Sequence, residues 1–177
     1  MKTYDENSKN RIWLNELGSA IIELNKGQIS IIDEEDIELI ASYRWSCWFP
    51  FNTFTTYAAT HITVDKKRTD LRLHRLILNL DKYDNSIVDH VNRWGLDNRK
   101  SNLRIATHSQ NLVNSKMHLD NTSGYRGVSR KRNGWRATIM NSGKQIYLGY
   151  YNDPMEAAKA YDDAAKELYG EFSRLNF

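Results

Sequence analysis

At 177 residues the chain has room for one ordinary domain or two small ones, and not for a large enzyme core. Five Trp, ten Tyr and a hydrophobic content of 40% exclude a disordered chain, and the single Cys47 excludes an internal disulfide or a CxxC zinc site. The net charge of +3 is unevenly spread: residues 1–70 carry 8 Lys+Arg against 11 Asp+Glu, residues 71–118 carry 8 against 4, and residues 124–152 carry 6 against none. Two basic stretches fit surfaces that meet a polyanion, although a solvated basic face would hold the same charges.

In chain order, "AIIEL" and "QISII" predict short strands around an "NKG" turn, and "DEEDIELIASY" predicts a helix with Asp33 as its N-cap. "YRWSCWF" and "TFTTYAATHITV" predict further strands, with "DKKRT" as the turn that follows. The Trp and Tyr side chains here are expected in a core, and nothing in the first 70 residues points to chemistry beyond support. No run approaches the ~20 apolar residues that cross a bilayer, and "MKTYDENSKNRIW" has no apolar secretion segment, so no membrane partner and a cytoplasmic location are expected.

From "LRLHRLILNL" the apolar density rises, and "SIVDHVN" predicts a short strand entering the loop "RWGLDNRKSN". In "LRIATHSQNLVNSK", Leu103, Ala106 and Leu112 recur at helical spacing, with a polar face from His108. "MHLDNTSG" is a polar connector, which places a first region at 1–118, a linker at 119–123 and a second domain at 124–177. There "YRGVSRK", "WRATIM" and "QIYLGYY" predict a three-stranded antiparallel meander with turns at "RNG" and "NSGK". Asp153 caps a helix that has Pro154 at its first position, an apolar stripe of Ala158, Tyr161, Ala165 and Leu168, and Gly170 at its exit.

The chemistry concentrates in "VDHVN". A Mg²⁺ ion takes oxygen ligands and keeps several waters, so one carboxylate, one amide oxygen and a substrate phosphate can build a hydrolytic site. Asp89 and Asn111 supply such atoms, and a neutral imidazole at His90 can accept a proton from attacking water near neutral pH. Neighbouring strand residues point to opposite faces, so Asp89 and His90 share a site only if the strand ends or bulges there. A DH dipeptide is common, however, and His108 and Asn114 compete with Asn111 on nearly the same helical face. His74 can contact phosphate or be a hydrogen-bonded structural residue.

Taken whole, "VDHVNRWGLDNRKSNLRIATHSQNLVN", with "LHRLIL" before it, resembles the HNH endonuclease motif, in the branch found in phage and intron homing endonucleases. The resemblance implies a ββα-metal core over about 71–118. It makes Asp89 and Asn111 ligands of a divalent metal, Mg²⁺ with Mn²⁺ as an alternative, His90 the general base and Asn102 the residue that fixes the loop. Arg93, Arg99, Lys100 and Arg104 would then neutralise phosphates of double-stranded DNA, where solvated loop charges are the plain alternative.

Residues 124–177 resemble the APETALA/ERF-type DNA-binding domain through "YRGV", "WRATI", "YLGYY", "EAAKAYDDAA" and "LNF" in order. Arg126, Arg130, Arg136 and Thr138 are expected on one face, with Trp135 or Tyr147 nearby. Lys131, Arg132 and Lys144 complete the expected contacts, though such a sheet can equally serve a protein partner. Ser129, Thr138, Met140 and Gln145 stand where plant members often place Arg or Glu, so no target sequence carries over. The whole predicts an α+β protein: a mixed N-terminal region, a ββα-metal nuclease core and a small three-stranded sheet on one helix. The function implied is a monomeric homing-type DNA endonuclease that nicks one strand per site, the alternative being a DNA-binding regulator with a non-catalytic scaffold.

Overall fold

The structure, a computed structural model, describes residues 3–4, 8–51, 55–114, 117 and 120–177. Residues 53–54 of the strand expected at "TFTTYAATHITV", Lys116 and His118 of the basic stretch and position 119 of the expected linker lie outside them. The fold is α+β, with small antiparallel sheets and short helices, and it forms two compact units, Met1–Ile105 and Ala106–Phe177.

The first unit opens with an antiparallel meander of β1 (Thr3–Tyr4), β2 (Ile12–Leu14), β3 (Ser19–Glu23) and β4 (Ile29–Asp33). Asn15 makes the first tight turn, its Oδ1 accepting from Leu17 N and Ser19 N at 3.0 and 2.9 Å. The next turn needs left-handed backbone at Lys26 and Gly27, as "NKG" suggests. The helix expected at "DEEDIELIASY" is shorter than predicted. A 3₁₀ turn, Glu34–Asp36, precedes α1 (Ile37–Ala41), and Asp33 makes no cap bond. Its carboxylate instead accepts from Lys100 N at 2.7 Å, a tertiary contact that outcompetes the local one.

A second antiparallel sheet holds β5 (Ser46–Trp48), β6 (Tyr57–Val64) and β7 (Lys67–Arg72). The turn at "DKKRT" is only Asp65–Lys66, both left-handed, and Lys67 already pairs with Val64. Then come α2 (Leu73–Ile77), β8 (Ile87–His90) and β9 (Leu103–Ala106), the last two forming a two-stranded sheet. Leu103 and Ala106 therefore belong to a strand, and their helical spacing in the sequence is coincidental. Ile12, Ile22, Ile32, Ile40, Trp45, Leu73, Leu96 and Leu103 form one core joining both sheets to the loop after β8. Burying each Ile or Leu contributes roughly 1.5–3 kcal/mol before entropy is counted.

The second unit starts with α3 (His108–Asn114). A reciprocal cap opens it: Thr107 N donates to Gln110 Oε1 at 2.8 Å and Gln110 N to Thr107 Oγ1 at 3.2 Å. β10 (Val128–Lys131), β11 (Gly134–Asn141) and β12 (Lys144–Tyr151) form the expected meander, and α4 (Pro154–Tyr169) covers one face. Asp153 accepts from Met155 N at 2.9 Å, as an N-cap should. The buried stripe of α4 is Ala157, Ala158, Tyr161, Ala165 and Tyr169; Leu168 is 38% exposed and lies off it. Val113 of α3 packs into the same core, against Ile139, Tyr161 and Ala165. The "LNF" tail is clasped by buried Asp162, whose carboxylate accepts from Asn176 N and Phe177 N, while Asn176 Oδ1 takes Arg126 N at 2.7 Å.

Candidate active site and nucleic-acid face

β8 ends at His90, and its last two residues, Asp89 and His90, are both buried. The chain turns at once: Arg93 N donates to His90 O at 2.8 Å, and Arg93 itself is left-handed. Val91 N donates to Asn102 O at 2.9 Å, tying the loop's start to its end. Asn102 also works through its side chain. Its Oδ1 accepts from Asn92 N at 2.9 Å, and its Nδ2 donates to Asn92 Oδ1 at 3.0 Å and to Asp97 O at 2.7 Å. Asn92 in turn donates to Asp97 Oδ2 at 2.7 Å and accepts from Trp94 N at 2.9 Å.

Three of the four cations expected on phosphate are engaged with carboxylates of the chain. Arg104 Nε and Nη2 both reach Asp89 Oδ2 at 2.8 Å, and Arg99 forks onto both oxygens of buried Asp97 at 2.8 and 2.7 Å. Lys100 Nζ lies 2.5 Å from Glu35 and 2.9 Å from Asp36. Burial pushes the Asp97 carboxyl up, but the Arg99 bond and charge and the Asn92 amide outweigh it and hold it below the usual carboxylate range. Lys100 is raised by its Glu35 and Asp36 bonds. Arg93, by contrast, is exposed beside the site.

The His90 ring sits in an aromatic box. Tyr57 lies 5.7 Å away, and His74 stands edge-on at 5.2 Å and 89°. Gly95 is required here, because a Cβ would come within 2.5 Å of Thr56 O and 2.8 Å of the Tyr57 ring. Nε2 of His90 faces Asn98 Oδ1 at 3.3 Å. Burial lowers the His90 imidazole, while Asn98, Asp89 and Asp97 pull it back up. His74 is held well below its ordinary value, first by burial and then by His90, Arg72 and Arg75, and its Nδ1 makes no hydrogen bond. His74 is thus a buried neutral imidazole supporting His90, rather than a surface phosphate contact.

The first unit therefore brings together Asp89, His90, Asn102 and Arg104, with Arg93, Arg99 and Lys100 around them, whereas Asn111 and exposed His108 lie on α3 in the second unit. Sequence reasoning missed Asn92, Asp97, Asn98 and Tyr57. The first three lie within the quoted motif, so their polar density in one loop was a usable signal; Tyr57 carried none. The donor types at hand, a carboxylate and amide oxygens, suit a hard divalent cation. Among the described residues no group of three or more His, Cys, Asp and Glu side chains is disposed to hold a metal, and no helix is long and apolar enough to cross a membrane.

In the C-terminal sheet, pairing assigns the faces. Arg130 pairs with Trp135 and stacks on it at 5.4 Å, on the side that α4 covers. Arg136 pairs with Ser129 and Tyr150 on the open side, joined by Thr138, Tyr147, Met140 and Gln145. Arg130 and Arg136 thus lie on opposite faces, not on one as expected, because Trp135 and Arg136 are neighbours on a pleated strand. Lys131 alternates onto the open side, Arg132 and Lys144 are exposed at turns, and Arg126 is half-buried beside the tail. The open face is cationic and aromatic, with Tyr147 62% exposed.

No family model matches the chain. Over 161 residues, 89% of its length, it is 28% identical to an uncharacterized HNH endonuclease of Acanthamoeba polyphaga mimivirus, of which it covers 79%. Over 90 residues, half of this chain, it is 34% identical to protein 3.8 of Escherichia phage T7, covering 74% of that protein. Its C-terminal part is 47% identical over 55 residues to dehydration-responsive element-binding protein 2C of Arabidopsis thaliana, which amounts to 29% of this chain and only 16% of the plant protein. The chain is therefore a homologue of an HNH endonuclease, and its C-terminal part is similar to APETALA/ERF-type DNA-binding domains.

Proposed function

We propose that the protein is a metal-dependent, site-selective DNA endonuclease of the HNH homing type, cutting one strand per active site. The carrying observation is the end of β8, where His90 is buried in an aromatic box with Nε2 on an amide oxygen, next to an Asp89 fixed by Arg104. The sequence likeness to an HNH endonuclease and to DNA-binding plant proteins supports the same reading.

In the reaction, His90 takes a proton from the attacking water, whose oxygen forms a new bond to phosphorus while the bond to the leaving sugar oxygen breaks and that oxygen is protonated from solvent. Arg104 keeps Asp89 in one orientation, and Asn102 keeps the loop closed under it. Asp89 would be a ligand of the divalent cation, Mg²⁺ or Mn²⁺, which when bound supplies stabilisation for the charge that develops on the phosphate. The open face of the C-terminal sheet, with Arg136, Lys131 and Tyr147, docks on duplex DNA, and exposed Arg93 steadies phosphate near the cut. A monomer suffices for nicking.

The test is conversion of supercoiled plasmid carrying candidate phage DNA to open circle, by wild type, Asp89→Ala and His90→Ala, with Mg²⁺ or EDTA, alongside duplex binding. Metal-dependent nicking lost in both variants while binding persists is the expected outcome. Full activity in either variant overturns the assignment. Tight binding without nicking by wild type, in Mn²⁺ as well, makes the protein a DNA-binding regulator on a non-catalytic scaffold.

A further inference from the structure

The N-terminal meander has no role in the chemistry described so far, yet it reaches the active-site loop through a fully buried polar chain. Asn98 and Ser30 are both 0% exposed and His90 is 5% exposed. Ser30 Oγ, on β4, donates to Leu96 O at 2.8 Å, and Asn98 Nδ2 donates to Ser30 Oγ at 2.8 Å. Asn98 Oδ1 then faces His90 Nε2 at 3.3 Å. Backbone bonds set the frame: Ile31 N donates to Leu96 O at 2.8 Å and Asn98 N to Ile31 O at 2.7 Å, so β4 takes residues 96–98 as an extra edge.

Donor counting fixes the direction of this chain. A serine hydroxyl has one proton, and Leu96 O holds it, so Ser30 can only accept from Asn98. The amide must therefore turn Nδ2 toward Ser30 and Oδ1 toward His90. An acceptor facing Nε2 requires the proton to sit on Nε2, which makes Nδ1 the basic nitrogen of the neutral ring. The reverse arrangement, with Ser30 donating to Asn98 and the amide donating to a bare Nε2, makes two side-chain bonds where this one makes three. Leu96 O would keep its bond from Ile31 N in that case, so the observed direction is favoured by one buried hydrogen bond.

We infer that Ser30 and Asn98 are positioning residues that fix the His90 imidazole as its Nε2–H tautomer, so that Nδ1 is the nitrogen that receives the proton of the attacking water. The N-terminal meander is then part of the catalytic apparatus: the residue that decides the amide's orientation comes from β4. The tautomer assignment stands on hydrogen bonding alone; its consequence for rate rests on His90 being the general base.

Two readouts separate these. The first is ¹⁵N–¹H correlation of the imidazoles in the full chain at about pH 8, above the ordinary imidazole value. It is recorded for wild type, Ser30→Ala and Asn98→Leu, with His90→Gln to identify the signal. Wild type is expected to show His90 as Nε2–H, and both variants a shift toward mixed tautomers. The second is plasmid nicking, where Ser30→Ala is expected to lower kcat about tenfold with KM unchanged, the usual scale for removing an outer-shell partner. Asn98→Asp keeps an acceptor facing Nε2 and is expected to retain the wild-type tautomer and nick faster than Asn98→Leu. Ser30→Ala leaves the backbone pairing of β4 with residues 96–98 in place, so it keeps the test valid if Asn98→Leu does not fold. A wild-type His90 protonated on Nδ1, or a Ser30→Ala protein with unchanged tautomer and unchanged kcat, overturns the inference. If wild type shows the Nε2–H tautomer and its dependence on Ser30 but does not nick, the relay stands and the general-base reading fails.

Discussion

Replacing Asn102 with Ala tests the loop directly. Its side chain is 93% withdrawn from solvent, being 7% exposed, and makes three hydrogen bonds, two to Asn92 and one to Asp97 O. Each contributes about 0.5–1.5 kcal/mol net, and leaving a buried carbonyl such as Asp97 O without its donor costs ~1–3 kcal/mol. Asn92 is exposed, so water can replace part of what it loses. The expected loss is roughly 2–4 kcal/mol in the first unit, which at a urea dependence of ~1–3 kcal/mol per molar lowers the midpoint by about 1–2 M. Asn102→Asp is the informative companion. It keeps the shape and one acceptor but sets carboxylate oxygen against Asp97 O and Asn92 Oδ1, so it should destabilise as much as Ala. Urea unfolding by tryptophan fluorescence gives the stability, amide exchange across residues 91–102 reports the loop, and nicking should fall at least about tenfold. An Ala variant within about 0.5 kcal/mol of wild type, with unchanged loop protection, would refute the bracing role of Asn102.

Further outcomes follow from the same geometry. Gly127 has φ +72°, and a Cβ there would lie 2.0 Å from the Tyr161 ring and 2.6 Å from Thr138 O. Gly127→Ala should therefore destabilise the second unit by at least about 2 kcal/mol, read by its urea midpoint; no shift would mean that the ring can move aside. Burial holds the His74 pKa well below 6.5, so below that pH the unfolded chain binds a proton that the folded one does not. Its contribution is full above pH 6.5 and is lost as pH falls, at up to ~1.4 kcal/mol per pH unit, and a stability profile flat from pH 7 to 5 would contradict a neutral buried His74. Lys131→Ala and Arg136→Ala should each reduce the slope of log binding constant against log salt on duplex DNA by about 1; an unchanged slope in both would remove the open sheet face from the interface.

Local patterns sufficed where the chain folds on itself over a short span. "RNG" and "NSGK" predicted both hairpins of the C-terminal meander because left-handed backbone at Arg132, Ser142 and Gly143 is a property of the turn itself. Asp153 and Pro154 marked the start of α4 for the same reason. "VDHVN" announced a carboxylate and an imidazole at a strand end, and the motif around it carried the likeness to nucleases. Partners distant in sequence were invisible. The cap expected from Asp33 was lost to Lys100, three of the four loop cations expected on phosphate are held by Asp89, Asp97, Glu35 and Asp36, and Arg130 left the open face because pleat and pairing, not charge, decide which way it points. The sequence by itself thus determined the short-range turns, the start of α4 and the candidate pair Asp89 and His90. Only the tertiary structure decided which nitrogen of His90 meets Asn98 and that Ser30 stands behind it. Periodicity reports which face of an element is apolar, whereas the direction of a buried hydrogen bond depends on donors and acceptors that meet only after the chain has folded.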